Sequence, residues 1–188
     1  MNPITLDFPD QFETQRLLIR APRVGDGAIL YRAISDSLEE VRPWMSWAQS
    51  EASIEKSEAN IRRACAAWIS RTDLRMLIFE KSGELVGSSG LHRMDWDVPK
   101  FEIGYWRRSG FGGRGLMTEA VCGIADFAFE VLKAQRVEIQ CDARNQKSAN
   151  LARRAGFDLE GRLKNHCRDD FGVLSDTLIF ARTAGENR

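Results

Sequence analysis

The chain has no surplus charge of either sign. Lys and Arg number 27 and Asp and Glu number 27 in 188 residues, so nothing favours a nucleic-acid partner, whose footprint is a clustered basic excess. Also missing is any apolar run long enough to span a bilayer. Residues 1–10 carry Asp7 and Asp10 where a signal peptide would have a basic start and an apolar stretch. The expected location is the cytoplasm, with no membrane among the partners. Cysteine is sparse, and Cys65, Cys122, Cys141 and Cys167 form no Cys-x-x-Cys pair, which reads as four reduced thiols. His92 and His166 are the only histidines, so no metal is expected. What remains is ordinary globular material, 43% hydrophobic and 29% charged, which predicts one domain over residues 1–188.

Patterning places the elements. Residues 16–21 read as a strand, and Gly25-Asp26 starts a helix running to about Ser35. Trp44-Met45-Ser46-Trp47 interrupts as an aromatic loop. Ile54, Ile61, Cys65, Trp68 and Ile69 then recur at helical spacing, predicting a helix from Ser53 to about Arg71. Strands are expected at residues 75–80, 85–91 and 101–107. A glycine-rich stretch from Gly110 to Gly115 leads into a helix from Leu116 to Val131, followed by a strand at 136–141 and a short helix at 147–155 ending at Gly156. Two closing strands lie near 158–163 and 174–182. Helices covering a mixed, largely antiparallel sheet follow from this order.

The glycine stretch leaves a strand and opens a helix, where free backbone N–H groups and the helix dipole favour an anion such as pyrophosphate. A tight connection would use the same glycines. Gly110, Gly112 and Gly115 also match Gly-x-Gly-x-x-Gly, with Asp142 at the end of the next strand. A dinucleotide fold, however, places that unit first and follows it with further strand-helix units, and most of this chain precedes the loop. No Gly-Lys-Ser/Thr closes the segment, so a Walker-type loop is excluded.

A second motif joins Asn145, Ser148, Leu151, Gly156 and Phe157. With Glu102-Ile103-Gly104-Tyr105-Trp106 and Gly113-Arg114-Gly115-Leu116-Met117, it resembles the GNAT superfamily of N-acetyltransferases. The similarity is greatest to the RimJ/RimL branch, the ribosomal-protein N-terminal acetyltransferases, and extends from Thr14-Gln15-Arg16-Leu17 to the last strand. The resemblance implies an α/β (α+β) GNAT fold whose mixed, mostly antiparallel sheet splays between its fourth and fifth strands, those around 101–107 and 136–141. It implies acetyl-CoA as cosubstrate and a primary amine as acceptor, with a ribosomal protein N-terminus as the leading candidate. A small-molecule amine, or acetyl-CoA binding without turnover, stands as the alternative. A homodimer is left open. The backbone of Tyr105, Trp106 and Arg107 would meet the pantetheine arm, and Gly110, Phe111, Gly112, Gly113, Arg114, Gly115 and Leu116 the pyrophosphate. Asn145 would contact the cofactor arm and Ser148 its sulfur. Two departures stand out: Gly110 replaces the usual Gln or Arg, and Ala152 stands where many relatives carry a catalytic Tyr. Ser148 is therefore the candidate acid.

Acetyl transfer requires a neutral amine, a stabilised oxyanion and a proton for the departing thiolate. An α-amino group titrates near about 8, whereas a lysine near about 10.4 costs about 4 kcal/mol to deprotonate, so a weak base suffices for an N-terminus. Glu102 shares a strand face with Gly104 and Trp106 and is the candidate base, although an ion pair at the strand start explains it nearly as well. Glu138 is the runner-up. Ser148 would serve equally as a helix N-terminal residue satisfying backbone donors. Trp44 and Trp47 fit either the wall of an acceptor site or the core. Cys141 reads as a small buried residue that the resemblance places near the cofactor sulfur.

Overall fold

A computed structural model describes residues 2–49, 51–169 and 172–185. Eight strands form one sheet in the order β1-β2-β3-β4-β5-β6-β8-β7. They are β1 (Gln11–Glu13), β2 (Leu17–Arg20), β3 (Leu74–Glu80), β4 (Leu85–Asp95), β5 (Lys100–Arg107), β6 (Arg136–Asp142), β7 (Asp158–Arg168) and β8 (Leu174–Thr183). Among the described residues only the β5–β6 pair is parallel. This is the mixed, mainly antiparallel sheet the sequence predicts. The short β1 was not foreseen, and it moves the expected splay from strands four and five to β5 and β6.

Helices α1 (Gly27–Ser35), α2 (Leu38–Val41), α3 (Ile54–Ser70), α4 (Leu116–Glu130) and α5 (Gln146–Arg154) cover the sheet. On one face Leu30 and Ala33 of α1 and Ile61 of α3 pack on Leu77 and Phe79 of β3. On the other, Val121, Ile124 and Ala128 of α4 meet Ile78, Phe101 and Ile103. Ser53 caps α3 by accepting the Lys56 N–H at 3.1 Å, as its position before the apolar series suggests. The apolar stripe of α3 is narrower than its spacing implies. Ile61 and Trp68 are buried, but Ile54 and Ile69 are exposed, Ile69 at 71%; the buried face runs through Ser57, Ile61, Ala64 and Trp68, and Ile69 lies about 100° round the helix from Trp68.

Arg20 ties β2 to the turn before α1 through a bidentate pair with Asp26, at 2.7 and 2.8 Å. Burial opposes charge on Asp26, yet this pair and the Arg23 N–H outweigh it and hold the carboxyl below its usual range.

Phe101 is fully buried where β5 pairs with β6 and meets Trp96 edge-on at 5.0 Å between ring centres. Phe101→Ala is expected to cost about 3–5 kcal/mol and lower the melting temperature by roughly 10 °C. Ile69→Ala should stay within about 0.5 kcal/mol. Thermal unfolding checks both, and comparable shifts would contradict this assignment of the core.

Candidate active site

β5 and β6 pair at three positions only: Lys100 with Arg136, Phe101 with Val137 and Glu102 with Glu138. Beyond them β6 stays with β8 along its whole length, from Arg136↔Thr183 to Asp142↔Thr177, while β5 continues with β4 to Gly87↔Arg107. The strands part, leaving one edge of β5 without a strand partner. The Arg108 N–H donates to Val86 on β4 at 2.8 Å. Alternation along the strand then turns the Tyr105 and Arg107 backbone to the open side and that of Trp106 to β4.

A cavity of about 670 Å³ opens at the parting and is lined by Tyr105, Trp106, Arg107, Phe111 and Trp44, together with Gly112, Gly113, Gly115 and Leu116. Gly113 and Gly115 both have φ of 73°, a backbone state that favours glycine. A Cβ on Gly112 would run into the Arg107 guanidinium. Arg107 donates through Nη2 to Glu40 at 3.0 Å, but its buried Nη1 has no partner. The N-terminus of α4 has Gly115 as its cap and no side chain accepting its first N–H groups. With Lys147 and Arg154 also lining the cavity against the single acid Glu40, this end suits a polyanion such as a pyrophosphate. Two residues of the predicted loop stand apart: Gly110 and Arg114 do not line the cavity, and Arg114 is paired with Glu80.

At the other end of the cavity Asn145 caps α5, its Oδ1 accepting the Ser148 N–H at 3.1 Å. Ser148 is therefore not the cap, and its hydroxyl is available for other work. That hydroxyl lies 2.9 Å from the Tyr105 hydroxyl, which also donates to the Ser148 carbonyl at 3.2 Å. Burial pushes the Tyr105 phenol up to about 12. Sequence reading had discounted tyrosine because Ala152 occupies the usual position; Ala152 is buried, but a tyrosine arrives from β5 instead. Cys141 is half-buried beside the Ser148 side chain, and burial raises its thiol above the ordinary value.

A second cavity, of about 340 Å³, shares Met45, Tyr105 and Trp106 with the first and is also lined by Trp47, Ser88, Ser89, Arg75 and His92. Trp47 packs on Trp106 at 5.7 Å. Both Trp44 and Trp47 thus serve as walls, at 40% and 41% exposure. Glu102 lines neither cavity. Its carboxylate pairs with Arg93 at 2.9 Å, and burial raises its pKa. Glu138 pairs with Arg136 at 2.7 Å. The strand-face argument does put Glu102 on the right face, directly across from His92 in register, but it is His92 that reaches the cavity. His92 Nδ1 lies 2.6 Å from Asp73, and its Nε2 lies on the Gly104 side of the ring. Neither His92 nor Asp73 was singled out from the sequence, where only a β3–β4–β5 register would have joined them. Among the described residues no cluster suited to a metal occurs.

A family model for the acetyltransferase (GNAT) domain matches residues 16–158. The chain belongs to the GNAT acetyltransferase family. Within this family, it is 39% identical over 83 residues to Bacillus subtilis YdaF, by name a candidate ribosomal N-acetyltransferase, covering 44% of this chain and 45% of that one. It is 28% identical over 144 residues to the ribosomal-protein-serine acetyltransferase of Escherichia coli, covering 73% and 78%. The chain spans about half the length of several curated GNAT relatives it matches. The fold matches that of RimL, a ribosomal L7/L12 α-N-protein acetyltransferase solved with coenzyme A in disulfide linkage to a cysteine. The TM-score is 0.82 at 23% identity, over 90% of this chain and 95% of that one.

The contact between Cys141 and Ser148 gives this GNAT chain a thiol beside the cavity. Aerobic incubation with coenzyme A is expected to add the mass of one coenzyme A minus two hydrogens at Cys141, reversibly with reductant. Because burial raises the thiol pKa, the adduct should form faster as pH rises toward the alkaline range, where the thiolate appears. Peptide mapping checks the position. An adduct on Cys65, Cys122 or Cys167 instead would contradict the placement of the cofactor sulfur.

Proposed function

We propose that the chain transfers the acetyl group of acetyl-CoA to a primary amine, most naturally the α-amino group of a protein N-terminus such as that of a ribosomal protein. The observation that carries this reading is the meeting of two cavities at Tyr105 and Trp106. One is cationic and glycine-cradled, suited to the cofactor's phosphates; the other opens on the opposite side of β5, suited to the acceptor. The names of the YdaF and E. coli relatives support ribosomal N-termini as the acceptor class.

Acetyl-CoA supplies the thioester as acyl donor. The rest falls to the protein. Tyr105 and Arg107 present backbone groups along the open edge of β5, and the uncapped end of α4 with Arg107 holds the phosphates. His92, oriented by Asp73, accepts a proton from the acceptor ammonium, and the neutral nitrogen attacks the carbonyl carbon. As the C–S bond breaks with its electron pair on sulfur, the Ser148 hydroxyl gives its proton to the thiolate and is resupplied from Tyr105, while the second proton of the attacking nitrogen passes to solvent and solvent returns one to Tyr105, leaving a neutral amide.

The test uses thiol release with an N-terminal peptide. Ser148→Ala is expected to lower kcat by roughly tenfold or more while leaving the coenzyme A Kd similar, since proton transfer acts in the transition state. A general base must be deprotonated to work, so the wild-type rate rises with pH along the acid limb of the kcat/KM profile; His92→Gln should flatten that limb and Glu102→Gln should leave it in place. An unaltered limb in the His92 variant, or a lost one in the Glu102 variant, would move the base role to Glu102.

A further inference from the structure

The second cavity carries a charge pattern that the transfer reaction does not itself require. Arg75 projects from β3, paired with Gly90 of β4, which in turn pairs with Gly104 of β5. It therefore stands two strands, about 10 Å, from the edge where the acetyl group is delivered. Asp73, two residues earlier, is engaged by His92. Arg75 is partly buried, enough for burial to weaken its hold on its proton. Its guanidinium donates from Nη1 to the neutral Asn60 side chain. Among the described residues no carboxylate forms an ion pair with it.

A guanidinium has five N–H donors in a flat fork suited to a carboxylate; Asp73 attracts Arg75 electrostatically but is hydrogen-bonded to His92 rather than to it, so the fork can still take a ligand carboxylate. The surrounding groups add to the positive side. Lys56 lines the same cavity, its ammonium resting on the Glu51 backbone carbonyl at 2.9 Å. Glu51 is the one acid in the lining, and it is exposed. Trp47 and Trp106 close one side, while the Ser88 and Ser89 hydroxyls are already donated to the Met76 and Gly104 carbonyls.

We propose that this cavity selects amine acceptors that carry a carboxylate, which pairs with Arg75 while the amine faces His92. The inference rests on the acetyltransferase reading above and adds the chemical class of the acceptor. The carboxylate has two sources: an acidic side chain within the first two residues of a peptide, or the α-carboxylate of a free amino acid.

Matched acceptor pairs test it with acetyl-CoA and thiol-release detection: Ser-Glu-Ala-Ala amide against Ser-Gln-Ala-Ala amide, Glu-Ala-Ala amide against Gln-Ala-Ala amide, and free serine against serinamide. The wild-type protein is expected to favour the carboxylate member of at least one pair by tenfold or more in kcat/KM, about 1.4 kcal/mol. Arg75→Gln, checked by its melting temperature for folding, should reduce that selectivity ratio at least tenfold through KM. Arg75→Lys, which keeps the charge but not the fork, should retain part of it. Preference within the peptide pairs assigns the acidic side chain as the source, and preference confined to serine over serinamide assigns the α-carboxylate. Turnover with no carboxylate preference in any pair, or a preference that survives in Arg75→Gln, overturns the inference and leaves the acetyltransferase reading standing. Absence of turnover with every amine overturns both.

Discussion

The structure depends on where a hydrogen-bond ladder stops. A strand inside a sheet has its backbone groups satisfied on both sides, and unpaired donors and acceptors away from water are costly. β5 has two partners only as far as Glu102; beyond it, β6 follows β8 and the open edge of β5 faces a cavity. An extended ligand with amide groups of its own can complete that edge. The side chains at the parting fit the same purpose: Phe101 and Val137 fill the closed end, and Tyr105 bridges the open end to α5 through Ser148.

From that parting the functional geometry follows. The loop after β5 must turn sharply into α4, which requires the positive φ of Gly113 and Gly115 and leaves the first N–H groups of the helix uncapped toward the cavity. The helix after β6 must be capped, and Asn145 does this, which frees the Ser148 hydroxyl to join Tyr105 and Cys141. Helices α1 and α3 sit on the opposite face and leave room near Trp47 and Trp106 for a second cavity. Two cavities thus open along one strand and meet at Tyr105 and Trp106.

Features set by backbone chemistry were legible in the sequence. The glycine loop and the strand pattern of β3 to β6 follow from local rules; the Asn145–Ser148 pair was legible through its resemblance to the GNAT motif, and the capping role of Asn145 was not. Features set by register were not. His92, Asp73 and Arg75 are ordinary residues until β3 and β4 are aligned, and a bulge between Ile78 and Phe79 breaks the simple alternation from which that alignment would be read. Periodicity overstated the buried stripe of α3 because Ile54 is the first residue of the helix and Ile69 stands about 100° round from the buried Trp68. The strand-face rule put Glu102 across from His92; how far along that face the cavity extends is a tertiary property, and of the two only His92 lines it.

Residue-resolved amide hydrogen exchange with and without coenzyme A measures the open edge directly. Cofactor entering where β5 and β6 part should slow exchange at Tyr105, Arg107 and the first amides of α4. It should leave Phe101 and Glu102, already paired within the sheet, nearly as they were. Slowing confined to other regions, such as the cleft between Phe12 and Phe127, with no change at Tyr105 and Arg107, would contradict the account.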